Sequence, residues 1–184
     1  MKRTIFALFA FVALAPVSIG AQPLAHEARP PALADDPAIA ALRTNWRQVT
    51  GYITRAAEQL SEADYAYRPI ATVRTFGQLF AHVAGSQYTM CAAALGEKGQ
   101  AEDAIEKTMT TKADLVAALK ASTAFCEKAY AQSGVNAAAM TDLYGDKVPR
   151  YNALALNAVH NGEHYGNIIT YMRMKGMVPP SSQP

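Results

Sequence analysis

His160 and His164 stand four residues apart, within His160-Asn161-Gly162-Glu163-His164. On a helix such residues lie one above the other, which is how one helix offers two nitrogen ligands to a single metal ion. On a wheel at about 100° per residue, Asn157, His160, His164, Asn167, Ile168 and Tyr171 share one sector. Leu and Ile would pack a bundle seam better than this mixture, and buried polar groups cost free energy unless paired. A metal ion would satisfy both imidazoles, with Asn157 and Asn167 hydrogen-bonding behind them. The competing reading is a pair of surface or hydrogen-bonded core histidines.

A third imidazole, His82, lies in a segment, Phe76 to Gly96, without a charged residue. A helix uncharged all round is usually buried all round. The wheel neighbours of His82 are Gln78, Gly85, Ser86 and Thr89, and Gly85 would let another helix or a ligand come close. The strongest apolar side (Phe76, Phe80, Val83, Cys91) lies nearly opposite. His82 therefore faces either the helix of His160 and His164, or solvent or a dimer contact, while Cys91 points away from it and is a poor ligand. Three neutral imidazoles on two helices suit Zn²⁺, Ni²⁺, Fe²⁺ or Co²⁺, and with no carboxylate among them they leave coordination positions open, as catalytic sites do. Such an ion acidifies a bound water or thiol, or polarises a carbonyl.

The same five residues fit the H-x-x-E-H pattern of inverted zinc peptidases, with Glu163 as candidate general base. Those enzymes are much larger and contain β-sheet, so a solvent-facing Glu163, or one behind the ligands, ranks ahead of a zinc peptidase. There is no G-x-S-x-G, no C-x-x-C and no phosphate-cradling glycine loop.

Four helices must position these residues. The first opens at Asp36-Pro37, an N-cap followed by a proline suited to the first turn. Ile39, Leu42, Trp46, Val49, Ile53, Ala56 and Leu60 then follow at alternating spacings of three and four. Ser61 to Arg74 reads as irregular, with Ser61 and Asp64 capping a short turn and Tyr65 and Tyr67 packing over one end of the domain. The second helix spans Thr75 to Leu95, stopped by Gly96. A polar connection leads to the third, Lys112 to Ser133, whose inner stripe is Leu115, Leu119, Ser122, Cys126 and Ala129. Gly134 ends it. A second long connection, Asn136 to Pro149, carries the turn signal Tyr144-Gly145-Asp146. The fourth helix runs from Pro149 to Gly176. No run alternates as strands do, so the expected fold class is an all-α four-helix bundle with long loops between helices 2 and 3 and between helices 3 and 4.

The start of the chain reads as a secretory signal peptide over residues 1–21: Lys2 and Arg3, an apolar run from Ile5 to Ala15, then small residues. The run is about half of what a spanning helix needs, so no stable membrane anchor is expected. Residues 22–36, proline- and alanine-rich and holding His26, read as a flexible lead-in to a domain over 37–180. Removing Lys2 and Arg3 leaves 15 basic against 15 acidic residues, a balance that does not point to nucleic acid. The destination is the periplasm or the exterior, where Cys91 and Cys126 could pair. Two buried free thiols are the alternative.

Thr75-Phe-Gly-Gln-Leu-Phe-Ala-His82, followed by Asn157-Ala-Val-His160-Asn-Gly-Glu-His164-Tyr-Gly-Asn-Ile, resembles the DinB/YfiT-like superfamily of metal-dependent proteins over nearly all of Pro37 to Pro180. The resemblance implies a four-helix bundle of unusual connectivity, commonly a homodimer, with a divalent metal on one histidine of the second helix and two of the fourth. Those correspond to His82, His160 and His164. Many relatives read His-x-Gly-Gln where this chain has His164-Tyr-Gly-Asn167. Characterised relatives include thiol-dependent S-transferases and a thiol-dependent cytoplasmic isomerase. An exported chain is separated from such thiols, and activity does not travel with fold. The expectation is an exported, metal-binding protein acting on a small-molecule substrate as a transferase or hydrolase. The alternative is a non-enzymatic metal-binding or dimeric interaction module.

Overall fold

The structure, a computed structural model, describes residues 36–184. The leader expected over residues 1–21 and the lead-in that follows, except Asp36, lie outside the described residues.

Local signals set the helix ends. The Asp36 carboxylate accepts from the amides of Ala38 and Ile39 and starts α1 (Pro37–Gln59). Ser61 and Asp64 cap each other reciprocally around a 3₁₀ turn, Glu62–Ala66. Thr75 and Gln78 form the same capping box at α2 (Phe76–Leu95), which ends at Gly96 in the left-handed conformation. A short α3 (Ala104–Thr108) precedes α4 (Lys112–Tyr130). A four-residue α5 (Gly134–Ala137) and a hairpin of β1 (Met140–Leu143) and β2 (Asp146–Pro149) lead to α6 (Arg150–Met174). The strands are antiparallel, with Met140 opposite Pro149.

The four long helices form the bundle, with α2 at its centre. Fifteen of its twenty residues are buried, and it packs on both α4 and α6, while α1 closes the bundle against α6 and α4. Burial on nearly every side explains the absence of charge from Phe76 to Gly96: an unpaired buried charge would cost several kcal/mol. The core has two lobes. One gathers Tyr65, Phe76, Phe80, Leu115, Ile168 and Met172. In the other, fully buried Trp46 stacks on Tyr130 at 4.5 Å between ring centroids.

Cys91 of α2 and Cys126 of α4 form a disulfide in the second lobe, with 5.3 Å between their Cα atoms. Pairing needs this separation, which depends on how two helices pack and is invisible to sequence spacing.

Three expectations change. α4 stops at Tyr130, short of Ser133, and Gly134 begins α5 under a Ser133 cap instead of ending a helix. The connection after Gly96 holds α3. The connection before α6, expected to lack strands, holds the hairpin. Strands of four residues are too short to reveal their alternation, although β1 does bury Thr141 and Leu143 and expose Met140 and Asp142. Among the described residues no helix is long and apolar enough to cross a membrane.

Candidate metal centre

α2 and α6 pack side by side and bring His82, His160 and His164 together. His160 Nε2 lies 3.2 Å from His82 Nε2 and 3.0 Å from His164 Nε2. The three ligand atoms all fall within 4.8 Å of one another, so the cluster could hold a metal ion. Nitrogens bound to one ion at ~2.0–2.1 Å stand roughly 2.9–3.4 Å apart, and the two close pairs are in that range. Without a cation, each neutral ring turns either an N–H or a lone pair towards the others, so three Nε2 atoms cannot all be paired with one another. His164 is 7% exposed. The Nδ1 atoms of His160 and His164 are buried without a partner, so no hydrogen bond on the far side of these two rings orients them.

The electrostatics favour neutral rings, the form that binds metals. Burial, then the neighbouring His160 and His82, push the His164 imidazole down from its ordinary 6.5 to about 3. Burial and the Arg74 guanidinium lower His82, and burial and His82 lower His160.

A second buried polar cluster holds the two helices in register. Gln87 of α2 accepts through Oε1 from Trp46 Nε1 at 2.9 Å and from Asn161 Nδ2 at 3.3 Å, and donates through Nε2 to Ser122 Oγ at 2.9 Å. Ser122 Oγ in turn donates to the Leu119 carbonyl at 3.0 Å. One polar side chain from each long helix meets here, and Asn161 is the chain neighbour of His160.

The residues expected behind the ligands lie elsewhere. Asn157 is fully buried, but its Nδ2 donates to Tyr130 Oη at 3.3 Å and to the sulfurs of Cys91 and Cys126, so it serves the disulfide lobe. Asn167 is exposed. A helix wheel gives direction around one axis and not what packs there, and α6 is buried along more than one side. Glu163 is also exposed, as a solvent-facing residue would be. Sequence reasoning missed Gln87, a polar side chain between Val83 and Cys91 on α2, and Asn161, one turn along α6 from Asn157. It also missed Glu102, whose Oε1 lies 3.8 Å from His82 Nε2.

Comparison with known proteins places this arrangement. The family profile of the DinB superfamily matches residues 28–168. In fold the chain is similar to a DinB-like protein from Bacillus cereus ATCC 10987, at 19% identity and TM-score 0.65, covering 77% of this chain and 95% of that one. It is also similar to the DinB-like protein YjoA from Bacillus subtilis, at 21% identity and TM-score 0.60, covering 75% and 93%. The mycothiol-dependent maleylpyruvate isomerase shares the fold at 19% identity and TM-score 0.59, covering 71% of this chain but 60% of that longer one. No curated protein matches the sequence. The profile spans most of the chain, from ahead of α1 into α6 and across all three histidines: the chain belongs to the DinB superfamily.

Proposed function

We propose that the protein binds one divalent cation (Zn²⁺, Ni²⁺, Fe²⁺ or Co²⁺) through Nε2 of His82, His160 and His164, and acts as a metal-dependent transferase or hydrolase on a small molecule. The observation that carries this is the convergence of three largely buried imidazole nitrogens, 3.0 and 3.2 Å apart in the two close pairs, from two helices. When bound, the cation supplies Lewis-acid chemistry at the positions the histidines leave open. The chain's own part is preorganisation. The capping box at Thr75 fixes the start of α2, the Gln87 cluster fixes α6 against it, and burial keeps the imidazoles unprotonated at neutral pH. An enzymatic role draws support from the maleylpyruvate isomerase, which shows the fold hosting catalysis.

The reading includes export and a homodimer. Export draws support from the leader-like residues 1–21 and from the Cys91–Cys126 disulfide, a bond that persists in oxidising compartments.

Metal analysis of protein purified without a histidine tag tests the core of the proposal. About one divalent ion per chain is expected, and none in the His160→Ala, His164→Ala double variant. A metal-free wild type that also fails to take up added Zn²⁺ or Ni²⁺ would sink it. An activity screen on the metal-loaded protein then separates an enzyme from a binding module.

A further inference from the structure

The histidines are not the only donors at this level. Glu102 lies in the connection between α2 and α3, with Oε1 3.8 Å from His82 Nε2. That nitrogen is the one turned towards His160. A carboxylate that merely orients a ligand imidazole bonds the ring nitrogen on the side away from the ion. Glu102 approaches the other side. It stands beside the cluster of three nitrogens, next to one member of it.

This position is built into the backbone. Gly85 is one turn along α2 from His82, and a Cβ there would collide with the Glu102 carbonyl oxygen. Gly99 makes the reciprocal contact: a Cβ on it would sit 3.1 Å from Thr89 Cα. Two glycines, one on the helix and one on the connection, thus let main chain lie flat on main chain. Thr89 Oγ1 donates to the Gln100 carbonyl at 3.2 Å, and Ser86 Oγ donates to Glu102 Oε1 itself. The helix that carries His82 therefore also seats Glu102, and the two cannot drift apart without breaking these contacts.

We propose that Glu102 is a fourth protein ligand of the centre, so that a carboxylate oxygen joins the three imidazole nitrogens. The assignment rests on the reading that the triad binds a metal. The 3.8 Å between Oε1 and Nε2 exceeds the separation of two donors on one ion by roughly half an ångström, a gap that a small rotation of the glutamate side chain closes. The added donor brings negative charge to an otherwise neutral set and leaves fewer positions for water or substrate.

The test compares wild type with Glu102→Gln. Zn²⁺ affinity is read by competition with a chromophoric chelator, and the Co²⁺ form by its visible absorption. Glu163→Gln is the control for charge acting at a distance, because Glu163 also favours the protonated forms of His82 and His160 from the protein surface. Gly85→Ala is the second variant, since it lifts the connection while keeping the carboxylate. Glu102→Gln should weaken Zn²⁺ binding about ten- to a hundredfold and shift the Co²⁺ bands. Gly85→Ala should weaken binding in the same direction, and Glu163→Gln should stay within about threefold, as an exposed charge does. Unchanged affinity and spectrum in Glu102→Gln, or an equal loss in Glu163→Gln, overturns the ligand assignment and leaves the triad intact. A wild type that binds neither Zn²⁺ nor Co²⁺ removes the triad reading itself.

Discussion

Two buried polar clusters sit side by side between α2 and α6, and they are built on opposite plans. Around Gln87, donors and acceptors are matched across four helices: an indole N–H, two amides and a hydroxyl close on one another. Around His82, three nitrogens of one kind face each other, and two rings have no partner on their far side. In the first cluster every N–H and O–H named has an acceptor as folded, and only Asn161 Oδ1 is left without a partner. The second is complete only with something added. Buried polar groups left unmatched work against stability, so the contrast separates a residue set that holds the bundle from one held by it.

The largest expected effect comes from breaking the Gln87 cluster. Gln87→Leu strands the Trp46 indole N–H and the Asn161 amide N–H, at about 2–4 kcal/mol in total. Urea denaturation of the metal-free protein should show that loss, and a cost below about 0.5 kcal/mol would show the network to be unimportant.

A smaller effect should mark the incomplete cluster. All three imidazoles have folded values below the ordinary 6.5, so between those values and 6.5 the unfolded chain binds more protons. Their neutral burial is tolerated above about pH 6.5, and stability is lost as pH falls through 6.5 towards the His164 value of about 3. The melting temperature of the metal-free protein should therefore be level above neutrality and decline in mild acid, and His164→Leu should flatten the decline. A decline of equal size in that variant would assign it to other groups.

Much of this was legible from spacing because its causes are local. Helix starts at Asp36 and Thr75 and the stop at Gly96 depend on a few adjacent residues, and the His160–His164 pair depends on one helical turn. The meeting of His82 with that pair depends on packing between helices far apart in the chain, and its trace in sequence was indirect: a segment too uncharged to be a surface. Asn157 and Asn161 show where such traces fail. They are four residues apart and equally buried, yet one serves the disulfide and the other the Gln87 cluster. Only the neighbours supplied by α1, α2 and α4 tell them apart. Glu102 was invisible for a related reason, because the glycines that seat it act on backbone that sequence does not locate.

The Cys91–Cys126 bond has a consequence for how the molecule can be cut. It closes residues 91–126 into a covalent ring, and the connection bearing Gly96, Gly99 and Glu102 is part of its circumference. Exposed connections are where proteases nick folded chains. A nick here opens the ring without dividing the molecule: the halves should migrate as one band until a reductant is added, then as two. Glu102 would remain tethered through whichever arm still carried it.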